Sequence, residues 1–439
     1  MTNSPGNIQL SRYNIISRSK DGNSYILVNL LSGQADILSV REYNELLALK
    51  GPNADVFIRK GYLTDPEEEL TRFRLSYIDF LESRGQEEVQ VFFVPTYACN
   101  FNCSYCYQSE YPSTPGIPDP KVIDGFFGFL ESQFEGRKKY ITLFGGEPLL
   151  PGLAYKQAIG DFMKRCGETQ NELAIVTNGY YLDSYMKYML QAPIREIQIT
   201  LDGTADVHNA RRPHKGGKPS FHRISDNLDA CLQQGFTVNL RVVLDRENMF
   251  NLPELAQYAN DKGWTGHPNF KTQLGRNYEL HHCQTGNQTL YSRLELYQDL
   301  HNIIQKHPEV LEFHKPAFSI MRFLSDNGHL PNPLYDDCPA CKSEWALDYT
   351  GRIYPCTATV GKPGEEIGQY YPQLHVNTAT IKEWQSRDIT TIKECRDCHI
   401  QLACGGGCGS LAKNKHGNIL SPDCRPVAEL IQLGTSVYF

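Results

Sequence analysis

The chain has 439 residues, of which 40% are hydrophobic and 21% charged, a composition typical of a globular protein. Its 43 basic and 50 acidic residues give a net charge of −7, which argues against nucleic acid as a partner. No apolar run reaches the ~18 residues of a membrane span, and no basic stretch followed by an apolar one opens the chain. We therefore expect no membrane partner and a cytoplasmic location.

Residues 1–85 are predicted to form a small unit of their own. Two short β-rich runs at 25–30 and 35–38 flank a Ser-Gly-Gln turn, which is typical of a hairpin. Ser39 and Glu42 have capping-box spacing ahead of a helix at 43–49. A second short helix is predicted to end at Gly61, and a longer one to cover 70–83. A hairpin with small helices is the outline of a winged-helix-like module.

Residues 86–275 alternate between β-rich runs and helix-like stretches. This alternation predicts βαβ units, a parallel sheet and an α/β fold, and six repeats favour a partial (β/α)6 barrel. Functional side chains of such barrels follow the carboxyl ends of the strands. The predicted strands lie at 89–94, 140–144, 173–177, 197–201, 238–244 and 270–274, and the predicted helices lie at 120–135, 153–166, 182–191, 221–234 and 252–262.

Eight of the 14 cysteines fall within the last predicted domain, residues 338–439, which a bridge region at 276–337 precedes. Because no secretory signal is visible, clustered cysteines indicate metal or iron–sulfur binding rather than a disulfide framework. Long periodic segments are scarce there, so we expect a small domain whose core is partly metal clusters. Two zinc sites in a ribbon-like domain are the alternative.

A first cysteine motif, Cys99-x3-Cys103-x2-Cys106, follows the strand predicted at 89–94. Three thiolates can hold a cubane iron–sulfur cluster and leave one iron open for a ligand. An ordinary structural metal site, or three core cysteines, is the alternative interpretation. The next strand ends in Gly145-Gly146-Glu147, where glycines would let a ligand approach the backbone and the carboxylate could hold an amino group. Alone, this second motif could be only a turn.

Together, the two motifs resemble the radical S-adenosylmethionine (SAM) superfamily over roughly residues 88–275, with Tyr105 as the aromatic residue of its cysteine signature. The resemblance implies a [4Fe–4S] cluster that binds SAM and cleaves it to a 5′-deoxyadenosyl radical. For Arg212 and Arg241 a structural salt bridge is an equal alternative. The cofactor-binding positions that the resemblance implies are Tyr105, Gly145, Gly146, Glu147, Asn178, Thr200, Arg212, Asn239 and Arg241.

The C-terminal cysteine spacing, which includes Gly351, resembles the SPASM domain, the auxiliary-cluster extension of radical SAM enzymes. That resemblance implies two further [4Fe–4S] clusters, three in all. The gap between the first two cysteines varies among related enzymes, and in some of them the nearer cluster keeps an open site. The alternative to Cys338 as a ligand is therefore an open site on that cluster. The implied ligands are Cys338, Cys341, Cys356 and Cys408 for the nearer cluster, and Cys395, Cys398, Cys404 and Cys424 for the farther one.

No catalytic acid or base is predicted. Cys166 and Cys231 lie on predicted helices and, like Cys283, are expected to be core or surface thiols. Four side chains could stand at the mouth of the barrel, but we expect each of them to be ordinary surface. They are Tyr278, His281, His282 and Glu344.

The resemblance extends to enzymes that modify ribosomally synthesised precursor peptides. It implies an oxidative modification, an intramolecular carbon–carbon or thioether crosslink, with the leader bound by residues 1–85 and with flavodoxin or ferredoxin as reductant. Sulfatase-maturase-type formylglycine formation is one alternative, but those enzymes carry an aspartate where this chain has Thr357. Peptide epimerisation is another. The non-enzymatic alternative is an iron–sulfur electron carrier that does not cleave SAM.

Overall fold

The structure, a computed structural model, describes residues 7–110, 116–277 and 288–439. At the amino end, three antiparallel strands in the order β2-β3-β4 pack with three helices, and β1 pairs with β5. The predicted hairpin and capping box are confirmed, since Ser39 Oγ accepts from the amide of Glu42 at 3.2 Å. The elements are β1 (Gln9–Leu10), β2 (Asn14–Arg18), β3 (Ser24–Asn29), β4 (Gln34–Ser39), α1 (Val40–Leu47), α2 (Ala54–Arg59), β5 (Leu63–Thr64) and α3 (Pro66–Arg84).

The middle of the chain forms the predicted α/β fold, a curved sheet of parallel strands with helices between them. All six predicted strands are present in register with their neighbours, and a short helix not predicted from the sequence follows the fourth. The elements are β6 (Val89–Val94), α4 (Pro120–Gln133), β7 (Lys139–Leu143), α5 (Leu153–Glu168), β8 (Leu173–Thr177), α6 (Met186–Met189), β9 (Ile194–Thr200), α7 (Ala205–Arg211), α8 (Phe221–Gln233), β10 (Val238–Leu244), α9 (Leu252–Asp261) and β11 (Phe270–Arg276).

The cysteine-rich C-terminal region adds strands to this sheet. Strand β12 (Glu344–Asp348) pairs in parallel with β6, so that Glu344 stands opposite Gln90. The sheet therefore has seven parallel strands, where the sequence predicted six. It continues with three short antiparallel strands, β13 (Arg352–Tyr354), β14 (Gly368–Gln369) and β15 (His375–Val376).

Seven further helices complete the described chain. The last of them packs against α10, α12 and the edge strand β2, where Gln432 exchanges two hydrogen bonds with the main chain of Arg18 at 3.0 and 3.1 Å. The helices are α10 (Arg293–Lys306), α11 (Val310–Phe313), α12 (Met321–Asn327), α13 (Thr378–Ser386), α14 (Gln401–Cys404), α15 (Gly409–His416) and α16 (Val427–Tyr438).

The amino-terminal unit also contacts the C-terminal region through α3. The ring of Tyr335 packs against Phe73, Tyr77 and Phe80, and the Tyr77 hydroxyl donates to Asp388 at 2.7 Å. These contacts connect the first and last quarters of the chain. The four predicted domain ranges stay a prediction. Among the described residues, no helix combines the length and the apolar composition that crossing a bilayer requires.

Candidate functional site

A cavity of about 590 Å³ opens at the carboxyl ends of the parallel strands and extends into the barrel. Strand pleating sends alternate residues inward, so β6 contributes Gln90 and Phe92 while β7 and its end contribute Tyr140, Thr142 and Phe144. Almost all of the predicted radical SAM site residues share this cavity. Those that line it are Cys99, Cys103, Cys106, Tyr105, Gly145, Gly146, Asn178, Thr200, Arg212, Asn239 and Arg241.

The loop that carries the first three cysteines is held by main-chain bonds to the end of α7 and the residues after it. Ser104 N donates to Arg211 O at 3.0 Å, and Asn102 N donates to Pro213 O at 2.9 Å. Within the loop, Phe101 N donates to Cys99 Sγ at 3.3 Å. Burial raises the pKa of Cys99 to about 12 and that of Cys103 to about 11. A bound cluster iron would compensate the thiolate charge that burial disfavours at these positions.

The glycines of the second motif allow the ends of β6 and β7 to meet. A Cβ on Gly146 would lie 2.3 Å from Ala98 O and 2.4 Å from Tyr97 O, so the cysteine loop itself requires this glycine. Glu147 lies behind the cavity wall, where its carboxylate accepts from Leu149 N, Thr177 Oγ1 and Asn178 N at 2.7–2.9 Å. In this structure the motif fixes three strand ends relative to one another.

Tyr105 and Arg212 belong to a buried polar network. The Tyr105 hydroxyl donates to Asp202 Oδ2 at 2.5 Å, and Arg212 donates to that hydroxyl while its guanidinium lies 3.8 Å from Asp202. Asp202 also accepts from the amide of Val243 at 2.9 Å. Arg212 therefore forms the structural salt bridge that was the alternative interpretation, and its side chain also lines the cavity.

The remaining predicted cofactor positions include an unsatisfied acceptor. Asn178 Nδ2 donates to Asn100 Oδ1 at 2.8 Å, and Arg241 donates to Gln273 at 3.2 Å. Asn239 Oδ1 is buried on the cavity wall and has no hydrogen-bond partner among the described residues. A buried acceptor normally has a partner, so a ligand that carries hydroxyl or amino donors, as SAM does, fits this wall.

The C-terminal cysteines fall into two groups. In the first, Cys341 N donates to Pro355 O at 3.0 Å, and a Cβ on Gly409 would lie 3.1 Å from Cys338 Sγ. Burial raises the pKa of the Cys356 thiol, and the nearby charges of Glu344, Cys338 and Cys408 act in the same direction. The members of this group are Cys338, Cys341, Cys356 and Cys408, the set that the resemblance implies for the nearer cluster.

The second group surrounds the Gly405-Gly406-Gly407 run. All three glycines have positive φ, and a Cβ on Gly407 would lie 2.1 Å from Asp423 O, which brings Cys424 beside the loop. Burial and, to a smaller extent, three neighbouring thiols raise the pKa of Cys395 to about 12. Those neighbours are Cys398, Cys404 and Cys424. Among the described residues, no group of three or more ligand side chains is placed to bind one metal ion. A cubane cluster does not need such a group, because each thiolate binds a separate iron.

Sequence analysis did not identify Arg387, which binds the main chain of the Gly405-Gly406-Gly407 run. Arg387 is fully buried and donates to the carbonyls of Gly406 at 2.7 Å and Gly407 at 2.9 Å. It also donates to Ile419 O at 2.6 Å and Ser421 O at 3.1 Å. Nothing in the sequence marks it, since a lone arginine after a helix is usually solvated. Arg387 fixes the chain that carries Cys404 and Cys408.

Glu344 was expected to be ordinary surface, and this expectation is wrong. It lines the cavity, because β12 extends the barrel sheet and its first residue points inward beside Gln90. The pKa of Glu344 is raised, because the effect of burial exceeds the opposing effect of two hydrogen bonds from Thr357. Cys166 and Cys231 are fully buried in the core. Tyr278, His281, His282 and Cys283 lie outside the described residues.

Residues 93–259 match the sequence model of the Radical SAM superfamily. A GTP 3′,8-cyclase of Nautilia profundicola is 30% identical over 177 residues, which cover 39% of this chain and 52% of that protein. The chain thus spans about half the length of this relative. A GTP 3′,8-cyclase of Helicobacter pylori is 23% identical over 318 residues, which cover 67% of this chain and 92% of that protein.

Solved structures resemble the fold. One of anSMEcpe with bound AdoMet has a TM-score of 0.61 at 17% identity and covers 79% of this chain and 95% of that one. One of Streptococcus suis SuiB bound to S-adenosylmethionine has a TM-score of 0.55 at 14% identity and covers 96% of this chain and 99% of that one. The predicted radical SAM domain is therefore confirmed, and it implies SAM and one [4Fe–4S] cluster as cofactors.

Proposed function

We propose that this radical SAM domain serves an enzyme that oxidatively modifies a ribosomally synthesised precursor peptide by an intramolecular crosslink. One observation carries the proposal: the cavity that holds Cys99, Cys103 and Cys106 also reaches Glu344 and Thr357, which adjoin the first C-terminal cysteine group. When bound, SAM and the reduced cluster supply a 5′-deoxyadenosyl radical that abstracts a hydrogen atom from the substrate. The lumen residues then hold the substrate between the two cysteine sites.

We infer that the two C-terminal groups hold auxiliary [4Fe–4S] clusters. In the first group, Cys338 lies beside Gly409, which follows Cys408, and Cys341 bonds to the carbonyl that precedes Cys356. In the second group, the approach of Gly407 to Asp423 brings Cys424 close to the segment that carries Cys404. Each group has four members, enough for a fully ligated cubane. A crosslink removes two electrons from the substrate, so an electron acceptor close to the cavity suits this chemistry better than a lone cluster would.

The leader peptide is proposed to bind to the amino-terminal unit. The edge strand β2 is covered by α16 through Gln432, whereas β4 pairs only with β3 among the described residues. Ile37 on β4 is 64% exposed. An open edge with an apolar side chain is the feature that an extended peptide uses when it adds a strand. A solved structure of similar fold shows SuiB bound to its precursor peptide SuiA.

A second candidate substrate is GTP, because the relatives of this domain are named GTP 3′,8-cyclases. Arg241 and Arg276 line the lumen and carry the charge that a triphosphate needs. Incubation of the reduced, cluster-loaded enzyme with SAM and GTP tests this candidate. A GTP-dependent increase in 5′-deoxyadenosine, together with a new nucleotide product, would replace the peptide proposal.

The peptide proposal is tested by co-expression with a short peptide encoded beside the gene under low oxygen, followed by mass spectrometry. We expect the loss of two hydrogens per modified site, and no loss when Cys99, Cys103 and Cys106 are all replaced by Ala. An unchanged mass in ordinary water, together with deuterium incorporation when the reaction is run in heavy water, would indicate epimerisation instead. Conversion of a cysteine or serine to formylglycine would indicate maturase-type chemistry. Absence of SAM cleavage would favour the electron carrier.

A further inference from the structure

Glu344 occupies the cavity wall between the two kinds of cysteine site. It is the first residue of β12, three positions after Cys341, and it bonds to the residue that follows Cys356. Its side chain enters the same cavity as the loop from Cys99 to Cys106. A substrate bound in the lumen would therefore meet this carboxylate as it spans the distance between the radical site and the first C-terminal group.

Only one of its two carboxylate oxygens is satisfied by the protein. Oε1 accepts from the amide of Thr357 at 2.6 Å and from its hydroxyl at 2.7 Å. Among the described residues, none donates to Oε2. The other lumen carboxylate, Glu196, differs, because Lys271 lies 2.5 Å from it as an ion-pair partner.

Glu344 is half-buried on the cavity wall, and a carboxylate partly removed from water is stabilised when another group compensates its charge or its lone pairs. Among the described residues, no lysine or arginine contributes to the environment of Glu344. The two hydrogen bonds from Thr357 hold the carboxylate in one orientation, with Oε2 left for another donor. A ligand in the cavity can supply that donor in place of water.

We propose that Glu344 is a substrate-binding residue whose free oxygen, Oε2, accepts a hydrogen bond from the thiol, hydroxyl, amide or ammonium group of the substrate residue that reacts. The bond would hold that residue against the first C-terminal cysteine group while the radical is generated at the other end of the cavity. This inference rests on the proposed function, since it places the reacting residue of the substrate in that cavity.

The test compares Glu344→Gln and Glu344→Ala with the wild type after cluster loading, with dithionite as reductant and with the peptide that passes the co-expression test. Two products are counted: 5′-deoxyadenosine and modified peptide. We expect the peptide kcat/KM to fall roughly 10- to 100-fold, while 5′-deoxyadenosine formation without peptide and iron per chain stay at wild-type levels. Glu366→Gln removes a carboxylate that Arg352 pairs outside the cavity and serves as the matched control.

Wild-type peptide turnover in Glu344→Gln and Glu344→Ala would overturn the assignment. Loss of iron or of basal 5′-deoxyadenosine in both variants would also overturn it, because Glu344 would then support a cluster rather than the substrate. If the wild type cleaves SAM but modifies no peptide, the proposed function fails separately. The same product ratio, measured with GTP as the probe, then decides the role of Glu344.

Discussion

Thr357 donates both its main-chain amide and its hydroxyl to one carboxylate oxygen of Glu344, at 2.6 and 2.7 Å. The two residues come from different segments, one from β12 and the other from the turn after β13. Since that turn carries Cys356, the pair connects the cavity wall directly to the first C-terminal cysteine group. The orientation of the carboxylate therefore depends on the position of the cysteine loop.

Thr357→Val removes the hydroxyl donor and leaves the main-chain bond in place. We expect peptide turnover to fall about 3- to 10-fold, the cost of one hydrogen bond of ordinary strength, because the main-chain bond still holds the carboxylate. Basal SAM cleavage should stay unchanged. Chromatographic quantification of 5′-deoxyadenosine and of modified peptide measures both. Thr357→Ser keeps the hydroxyl and should restore turnover, and failure of that rescue would point to packing of the methyl group instead.

Gly146→Ala should disrupt the first cysteine loop. The added Cβ would lie 2.3–2.6 Å from main-chain atoms of Tyr97 and Ala98, which cannot give way as a side chain would. We expect a loss of ~1–3 kcal/mol of unfolding free energy and at least a ~10-fold fall in SAM cleavage. Denaturant titration and product analysis test this.

The matched control is Gly128→Ala. Gly128 lies in helix α4, and apart from the backbone of its own helix no described residue places a heavy atom within 4 Å of its added Cβ. That change should stabilise the fold by up to ~1 kcal/mol through helix propensity and leave SAM cleavage intact. Equal loss of activity in the two variants would contradict the steric argument.

Asn239→Ala removes the buried acceptor that faces the cavity without a partner. If SAM supplies its missing donor, the KM for SAM should increase roughly 5- to 100-fold while the iron content stays constant. Asn260→Ala, which removes another unpartnered side-chain oxygen but on helix α9, is the control. An unchanged KM in Asn239→Ala would remove this residue from the SAM site.

Arg387→Lys keeps the charge but cannot reach the four carbonyls that the guanidinium binds. We expect the free energy of unfolding to drop by about 3 kcal/mol. If the two C-terminal groups hold the proposed auxiliary clusters, the loss of both should lower iron per chain toward roughly a third of the wild-type value. Iron analysis and the electron paramagnetic resonance signal of the SAM-binding cluster measure this. Full iron content would contradict the proposal that Arg387 holds the cysteine-bearing segment in place.

The barrel strands were predictable because each is a compact β-rich run bounded by a turn and a helix, as in 89–94 and 238–244. Strand β12 was not, since its partner β6 is distant in sequence. Local pattern cannot reveal such a pairing. Glu344 was misjudged for this reason, because its inward direction follows from the register opposite Gln90 rather than from its own neighbours.

The grouping of the C-terminal cysteines came from the resemblance of their spacing to a known domain, and the structure brings the same residues together. What spacing could not indicate was how the chain holds them. Arg387 and Lys342 act through main-chain carbonyls, and Lys342 Nζ donates to Cys338 O at 3.1 Å and to Arg387 O at 2.9 Å. Contacts to carbonyls leave no signature in sequence, because any residue can supply the acceptor.

The pairing of β6 with β12 has a consequence for biosynthesis. About 250 residues must leave the ribosome after β6 before β12 can cover its outer edge, and until then the sequence Val-Gln-Val-Phe-Phe-Val is an uncovered apolar edge strand, the form most prone to aggregate. The cysteine loop is attached to that strand. Truncation before Glu344 should therefore yield insoluble protein, and co-expression of chaperones should raise the yield of chains competent for cluster loading.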